Sequence, residues 1–372
     1  MSGYFDACLR ALSDQGHDLY LVDLDPSPEA PFSATLGNWI ARRRTWDGCS
    51  LDTDGVLAEL RQFSPGAILI SSWHIAAYRS IAKGLAGTTI RVLCMDNWWI
   101  GSFKQWAGRM GRSVYLAPYF DLAFVPGLRQ WQFARMLGFA DNEIIPGLYS
   151  ADTGPFYAHS ARRSVGKTGG APREFLFVGR LVPEKGVLEL LQAYDTYRSR
   201  SKNPWCLRIA GTGPLVGEIS TAPGVDYMGF CQPEELPQLM SRSDVFVLPS
   251  KQEHWGVVVH EAAAAGMVLC CTTAVPAGDQ FLQDGYNGLL VPPGDALLLS
   301  EALLAFGRMG DGELTAMSEG SQGLSRQLST EQWARHLIYQ LNARRPDQGV
   351  ASKKRLSGRF SMRSRLGRRP TL

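Results

Sequence analysis

No stretch of these 372 residues stays apolar for the roughly 18 positions that a membrane-crossing helix requires. The opening segment, MSGYFDACLRALSDQGHD, also lacks the charged-then-apolar layout of a secretory leader, so the expected location is cytoplasmic. Cysteine is sparse and unpaired in pattern: Cys8, Cys49, Cys94, Cys206, Cys231, Cys270 and Cys271 include no C-x-x-C pair. Several lie in apolar runs such as MVLCC, so buried free thiols are expected rather than a metal or redox centre. No repeat of solenoid length is present, and no Ser, His, Asp set suggests a hydrolase. Gly211, Gly213 and Gly217 in GTGPLVG follow a strand-like run, but their spacing is wrong for a dinucleotide fingerprint and Pro214 interrupts it. Nicotinamide chemistry is thereby excluded.

What is present is ordinary for a globular chain of two domains, with 45% hydrophobic and 20% charged residues. Charge is distributed unevenly. Residues 344–372 carry ten Lys or Arg and one acid, so +9 of charge lies in the tail and the body is left at −6. Poor in apolar side chains, the tail is expected to be a solvated extension, or a segment drawn to anionic lipid at the inner membrane face. Nucleic acid is set aside as a partner.

Short β-rich runs alternate with amphipathic stretches in both halves, which predicts an α/β protein with parallel sheets. Strands are expected at DLYLVDLD, AILISS, RVLCMD, LAFVPG and EIIPGLY, then at EFLFVG, CLRIAG, VDYMGF, VFVLPS, MVLCCT and GLLVPP. The segment 161–173, rich in Gly, Ser and basic residues without apolar periodicity, reads as a linker. It divides an amino-terminal Rossmann-like domain (1–160) from a second domain (174–322), which a terminal helix (323–343) follows and packs back on the first. Two such units leave a cleft at the carboxyl ends of their strands, where open α/β sheets bind ligands. The start is unusual: a helix-like stretch stands where a sheet of this kind begins with a strand. Either the first strand is absent or the amino-terminal domain is rearranged.

Two glutamates carry the chemistry. Glu253 and Glu261 lie eight positions apart across EHWGVVVHE, and with Gly256 onward helical they stand about 12 Å apart along its axis. That roughly matches a nucleotide diphosphate sugar, with one carboxylate forking to two ribose hydroxyls and the other meeting the sugar. The helix start between them suits a pyrophosphate. In FLFVGRLVPEKG a strand ends at Gly179, and Arg180 and Lys185 converge from one loop; two cations so placed can neutralise a diphosphate leaving group. No metal is then required, and the triplets Asp23-Leu24-Asp25 and Asp52-Thr53-Asp54 are read as chance.

The second half resembles the nucleotide-binding domain of the retaining glycosyltransferases of family 4, which have the GT-B fold. The matching pieces come in order: FVGRLVPEKG, IAGTGPL, VDYMGF, SDVFVLPS, EHWGVVVHEAAAAG and AGDQFLQDGYNGLLVPPGD, from Phe175 to Phe306. In the first half only EIIPGLYSADTGPF, with Asp152 and Phe156, is similar beyond outline. The resemblance implies that Arg180 and Lys185, beside Gly179, bind the donor diphosphate and that Glu261 holds the ribose. It implies that Glu253 contacts the donor sugar, that the backbone of Gly256, Val257 and Val258 presents N–H groups, and that the base stacks near Gly229 and Phe230. Packing in the core is the other reading of Phe230.

The chain departs from that pattern in the first half. Only Ser2-Gly3 stands where the family has a glycine-rich loop, and the strand RVLCM is followed by Asp96-Asn97-Trp98-Trp99 where the family commonly places a histidine. Asp96 is the substitute contact to sugar or acceptor, and His74 the other candidate. Trp73, Trp98 and Trp99 are a stacking surface for an acceptor sugar or core. The resemblance thus implies transfer of a hexosyl unit from a nucleotide diphosphate sugar to a hydroxyl on a polysaccharide or lipid-linked glycan precursor, without a cofactor. A catalytically impaired carbohydrate-binding or scaffold protein, and a nucleotide-sugar epimerase of the same fold, are the alternatives.

Overall fold

A computed structural model describes residues 2–24, 36–160 and 173–344. The segment read as a linker and the basic tail therefore lie outside the described residues, apart from Arg173 and Arg344. The first domain contains α1 (Gly3–Asp14), β1 (Tyr20–Leu24), β2 (Arg42–Trp46), α2 (Thr53–Phe63), β3 (Ala67–Ile70), α3 (Ala76–Gly84) and β4 (Ile90–Cys94). It continues through α4 (Phe103–Met110), α5 (Arg112–Tyr115), β5 (Leu122–Val125), α6 (Leu128–Met136), β6 (Ile144–Pro146) and α7 (Thr153–Ser160). All strand pairs are parallel, in two groups: β1 with β2, and β3-β4-β5-β6. Among the described residues β1 and β3 are not bonded to each other.

The second domain contains β7 (Glu174–Val178), α8 (Val187–Arg200), β8 (Cys206–Ala210), α9 (Val216–Ser220), β9 (Val225–Gly229), α10 (Leu236–Arg242) and β10 (Val245–Leu248). There follow α11 (Val257–Ala264), β11 (Val268–Thr272), α12 (Gly278–Phe281), β12 (Gly288–Val291), α13 (Ala296–Arg308), α14 (Asp311–Ser325) and α15 (Thr330–Asn342). Its six strands form one parallel sheet in the order β12-β11-β10-β7-β8-β9. The direction of winding reverses between β7 and β10, which makes the carboxyl ends of these two strands the place where a ligand is expected.

Local chemistry accounts for the element starts. Asp52 caps α2 by accepting from the Gly55 N–H at 2.9 Å, Asp295 caps α13 through Leu298 at 2.9 Å, and Ser329 caps α15 through Gln332 at 3.2 Å. The Asp52-Thr53-Asp54 triplet is thus a helix start. Asp23 is occupied too, taking both Arg43 nitrogens at 2.7 and 3.0 Å, while Asp25 lies outside the described residues.

A near-continuous apolar core fills the second domain, with Phe175, Phe177, Phe246, Phe281 and Phe306 fully buried. Phe156 of α7 joins that core, and α7 packs on α10 and α11. In the other direction α15 packs on α1, where Trp333 is buried among Cys8, Leu12 and Phe124 and donates its indole N–H to the Leu148 carbonyl at 2.9 Å. The chain therefore crosses between the two bodies twice. One expectation needs correction: Cys8, Cys94, Cys270 and Cys271 are buried, but Cys49 is exposed and Cys206 and Cys231 are half-buried. Cys49 occupies the bend between β2 and α2 and Cys206 the first position of its strand, so neither reaches the core.

Candidate functional site

The site is built on the turns that leave β7 and β10. Gly179 ends the first, its N–H bonded to the Ala210 carbonyl at 3.0 Å. A side chain at Gly211 would place its Cβ 1.8 Å from the Gly179 carbonyl oxygen, so the two backbones approach as only glycine allows. Exposed Arg180 follows, and a tight turn over Pro183–Lys185 leads to Gly186 at φ +68°. This turn is clamped to the other: the Glu184 carbonyl accepts from the N–H groups of Lys251 at 2.8 Å and Gln252 at 3.2 Å.

The clamp brings Lys185 and Glu253 together. Lys185 Nζ pairs with Glu253 Oε2, and both side chains are largely shielded, at 15% and 10% exposure. Ser250 Oγ donates to the same oxygen at 3.3 Å, and the His254 N–H donates to the other at 3.2 Å. Glu253 is therefore a carboxylate held by donors on both oxygens, not a solvated loop acid.

Behind it Gly256, at φ +98°, caps α11 without a side chain of its own. The first-turn N–H groups of a helix have no partner within it, and among the described residues no side chain caps Val257 or Val258. An anion placed there meets open donors and the positive end of the helix.

Glu261 lies one turn on, partly exposed, and its carboxyl is pushed up to about 7, by burial first and by the negative Asp152 second. Asp152 is itself raised, chiefly by burial, then by Glu331. Beside Glu261, His260 is buried and neutral: Nδ1 accepts from the Ala151 N–H at 3.1 Å, Nε2 faces the Ser325 carbonyl at 3.0 Å, and the ring stacks on Phe281 with centroids 4.1 Å apart. Its pKa falls to about 4 because burial disfavours the imidazolium. Sequence reasoning misses His260. A lone polar residue in the small apolar run VVVHEAAAA is the one signal it offers.

The first domain reaches the site through the loop after β4, which carries Trp98, and through the start of α6, which carries Arg129 and Gln130. Trp98 donates its indole N–H to the Glu253 carbonyl at 2.9 Å, and Gln130 donates to the His254 carbonyl at 2.7 Å. Arg129 makes a two-pronged pair with Asp279 at 2.6 Å and lies over the Trp98 ring at 5.4 Å. Asp96 accepts from Tyr149 Oη at 3.1 Å, and Tyr4 stands edge-on to Tyr149. Trp99 packs on Trp106 and Phe133, whereas Trp73 and His74 are exposed beyond β3. Phe230 is half-buried after β9. Among the described residues no three His, Cys, Asp or Glu side chains are grouped as a metal would need, and no helix is long and apolar enough to cross a membrane.

With this geometry in view, comparison with known proteins is specific. Residues 161–317 match the family model described as glycosyl transferases group 1. That stretch, less than half of the chain, is similar to this family. The chain is 33% identical over 173 residues to a glycogen synthase of Mycobacterium tuberculosis (strain ATCC 25618 / H37Rv), covering 45% of this chain and 40% of that protein. A putative teichuronic acid biosynthesis glycosyltransferase, TuaC of Bacillus subtilis (strain 168), is 28% identical over 211 residues, 55% of this chain and 50% of its own length. The chain thus spans half or less of the length of these curated relatives. The whole fold resembles that of Alr3699/HepE of Anabaena, solved with UDP-glucose: TM-score 0.71 at 16% identity, over 92% of this chain and 96% of the other. Two parallel α/β sheets facing a cleft, the GT-B arrangement, is therefore the fold.

Proposed function

We propose that the protein is a retaining glycosyltransferase that moves a hexosyl unit from a nucleotide diphosphate sugar to a hydroxyl acceptor. The observation that carries this reading is the Lys185–Glu253 pair, held at the switch point of the second sheet directly before the uncapped start of α11. A carboxylate, a cation and a row of free N–H groups so close together match a sugar, a diphosphate and the bond between them.

In this reading Arg180, Lys185 and the backbone of Gly256, Val257 and Val258 take the diphosphate, and Glu261 accepts the ribose hydroxyls. The base lies near Phe230. Glu253 meets the donor sugar close to the reacting carbon. As the C–O bond to phosphate lengthens, charge on the leaving oxygen is met by cations and by donors already in place, which is where such groups lower a barrier most. The departing phosphate then takes the acceptor's proton, on the same face as the new bond, so no separate base is needed. Asp96, fixed by Tyr149, orients the acceptor from the first domain. The solved neighbour's UDP-glucose supports a uridine nucleotide, and TuaC supports a polysaccharide or lipid-linked glycan precursor as acceptor. The basic tail, outside the described residues, would keep the protein at an anionic membrane surface. The domain limits are proposed as 1–160, 174–322 and 323–343.

A catalytically impaired carbohydrate-binding protein is the second reading, favoured by the first domain, where among the described residues β1 and β3 are not bonded to each other. A radiolabelled panel of nucleotide sugars with glycan acceptors separates the two. Transfer that falls at least about tenfold in Glu253→Gln, some 1.4 kcal/mol of transition-state stabilisation, supports the enzyme. Donor binding without turnover, unchanged in that variant, supports the impaired protein.

A further inference from the structure

The two helices after the Trp98 loop are amphipathic the wrong way round for a surface in water. Phe103, Trp106, Met110 and Val114 fall three and four positions apart, which places them on one stripe along α4 and α5. Gly111 carries the helical bonding from one helix to the other, its N–H on the Ala107 carbonyl at 2.9 Å. The stripe points outward: Phe103 and Met110 are each 86% exposed, and Ile100, Trp106, Val114 and Tyr115 are exposed as well. Six of the fourteen large apolar side chains exposed among the described residues thus lie within residues 100–115. The polar side is the one turned to the protein. Gln105 donates to the Trp98 carbonyl at 2.8 Å and accepts from the Ile100 N–H at 2.9 Å, while Arg112 lies over the Phe139 ring at 5.4 Å and pairs with Glu143 at 3.5 Å. No described side chain of α4 or α5 is buried.

An apolar stripe of this kind is unfavourable in water and calls for a cover. Charge selects which. From Asn97 to Phe120 the sequence has three basic residues and no acid, in a body whose net charge is −6. Exposed Arg109 lies over the Trp106 ring at 5.6 Å, at the margin of the stripe. A second copy of the chain would bring two basic faces together, and like charges so placed repel. The tail at 344–372 is basic as well and poor in apolar residues, so it matches the stripe in neither respect. An anionic bilayer matches in both: its phosphates meet the cations, its acyl boundary takes Phe, Met and Val side chains, and its headgroup level suits Trp and Tyr.

We propose that α4 and α5 form a membrane-docking face that lies in the headgroup layer of an anionic bilayer. Phe103 and Met110 reach the acyl chains, and Arg109 meets lipid phosphate. The tail contributes attraction without insertion; the stripe contributes the insertion. The face adjoins the cleft, because Trp106 stands edge-on to Trp99 at 5.1 Å and Gln105 holds the loop whose Trp98 donates to the Glu253 carbonyl. A docked chain therefore has the acceptor side of its cleft beside the lipid headgroups. That consequence alone rests on the proposed transfer reaction; the docking itself does not.

The test is flotation of the full chain with vesicles of phosphatidylcholine containing about one third phosphatidylglycerol, at physiological and at high salt. Neither donor nor acceptor is added, so the result does not depend on transfer. We expect binding that high salt weakens without abolishing. The partition coefficient should fall at least about tenfold in Phe103→Ser/Met110→Ser, and stay at the parent's value in Leu297→Ser, a control at an exposed leucine of α13. Vesicles with brominated acyl chains should quench the tryptophan fluorescence of the parent, and quench it less in Trp106→Phe; this readout decides even if the double variant fails to fold. Parent-like binding by the double variant would overturn the proposal, since the tail alone would then hold the chain. Absence of vesicle binding, or binding without quenching, would overturn it as well. So would light scattering that shows a dimeric parent and a monomeric double variant, which would assign the stripe to a second copy.

Discussion

Lys185 and Glu253 face each other across the carboxyl edge of the second sheet, from two turns that the Glu184 carbonyl ties together. Both side chains are shielded, so the loss of one partner leaves the other charged and poorly hydrated. We expect Lys185→Ala to lower the unfolding free energy by about 3 kcal/mol, and Glu253→Gln in the same chain to restore most of it. Urea denaturation of the two single variants and the double variant measures this coupling. Additive losses would mean that the pair is not a unit.

Gly186 holds the same pair from the backbone. Its φ is +68°, and a Cβ at this position would lie 2.0 Å from the Pro249 carbonyl oxygen, so there is no room for a methyl group. In Gly186→Ala the turn must lift from β10, so Lys185 withdraws from Glu253. Destabilisation of about 2 kcal/mol or more, with loss of transfer beyond that of a control at exposed Gly217, is the expected outcome in thermal melts and rate assays.

Glu261 gives a pH signature. Its folded-state carboxyl titrates at about 7, above the ordinary glutamate value, so the folded chain holds a proton there that the unfolded chain has lost. Stability from this group is complete at low pH and is lost as pH rises from about 4.5 through 7. Melting temperatures of the protein and of Glu261→Gln, compared from pH 5 to pH 8, should diverge with the variant gaining relative to the parent as pH rises. Parallel curves would contradict the shifted carboxyl.

His260 acts with the opposite sign. Its pKa is lowered to about 4 by burial, so the unfolded chain binds the proton first and stability falls as pH drops from about 6.5 toward 4. His260→Phe keeps the stack on Phe281 but strands the Ala151 N–H and the Ser325 carbonyl. A loss of about 2 kcal/mol at pH 7 is expected from chemical denaturation, together with a flatter acid limb.

Much of this was legible in the residues. The alternation of β-rich and amphipathic runs gave the layers, because parallel strands covered on both faces must be apolar throughout, as FLFV and VFVL are. Arg180, Lys185, Glu253 and Glu261 could be picked out because turn residues and charges recur at fixed offsets from those strands. β2 was not legible: RRRTW carries no alternation, since this outermost strand is exposed and its arginines pair with Asp23 and Glu59. The mutual pairing of Lys185 with Glu253 was equally hidden, because it depends on contact between turns 68 residues apart. The cavity between β1 and β3 was not legible, because its walls come from elements far apart in sequence, α1 and α15 among them.

The central claim is that one nucleotide diphosphate sugar lies along the second domain, between Glu253 and Glu261. Calorimetric titration of uridine diphosphate into the protein, Lys185→Ala and Glu261→Ala tests it most directly. The account predicts that each substitution weakens binding at least about tenfold, or 1.4 kcal/mol; equal affinity in all three proteins would contradict it.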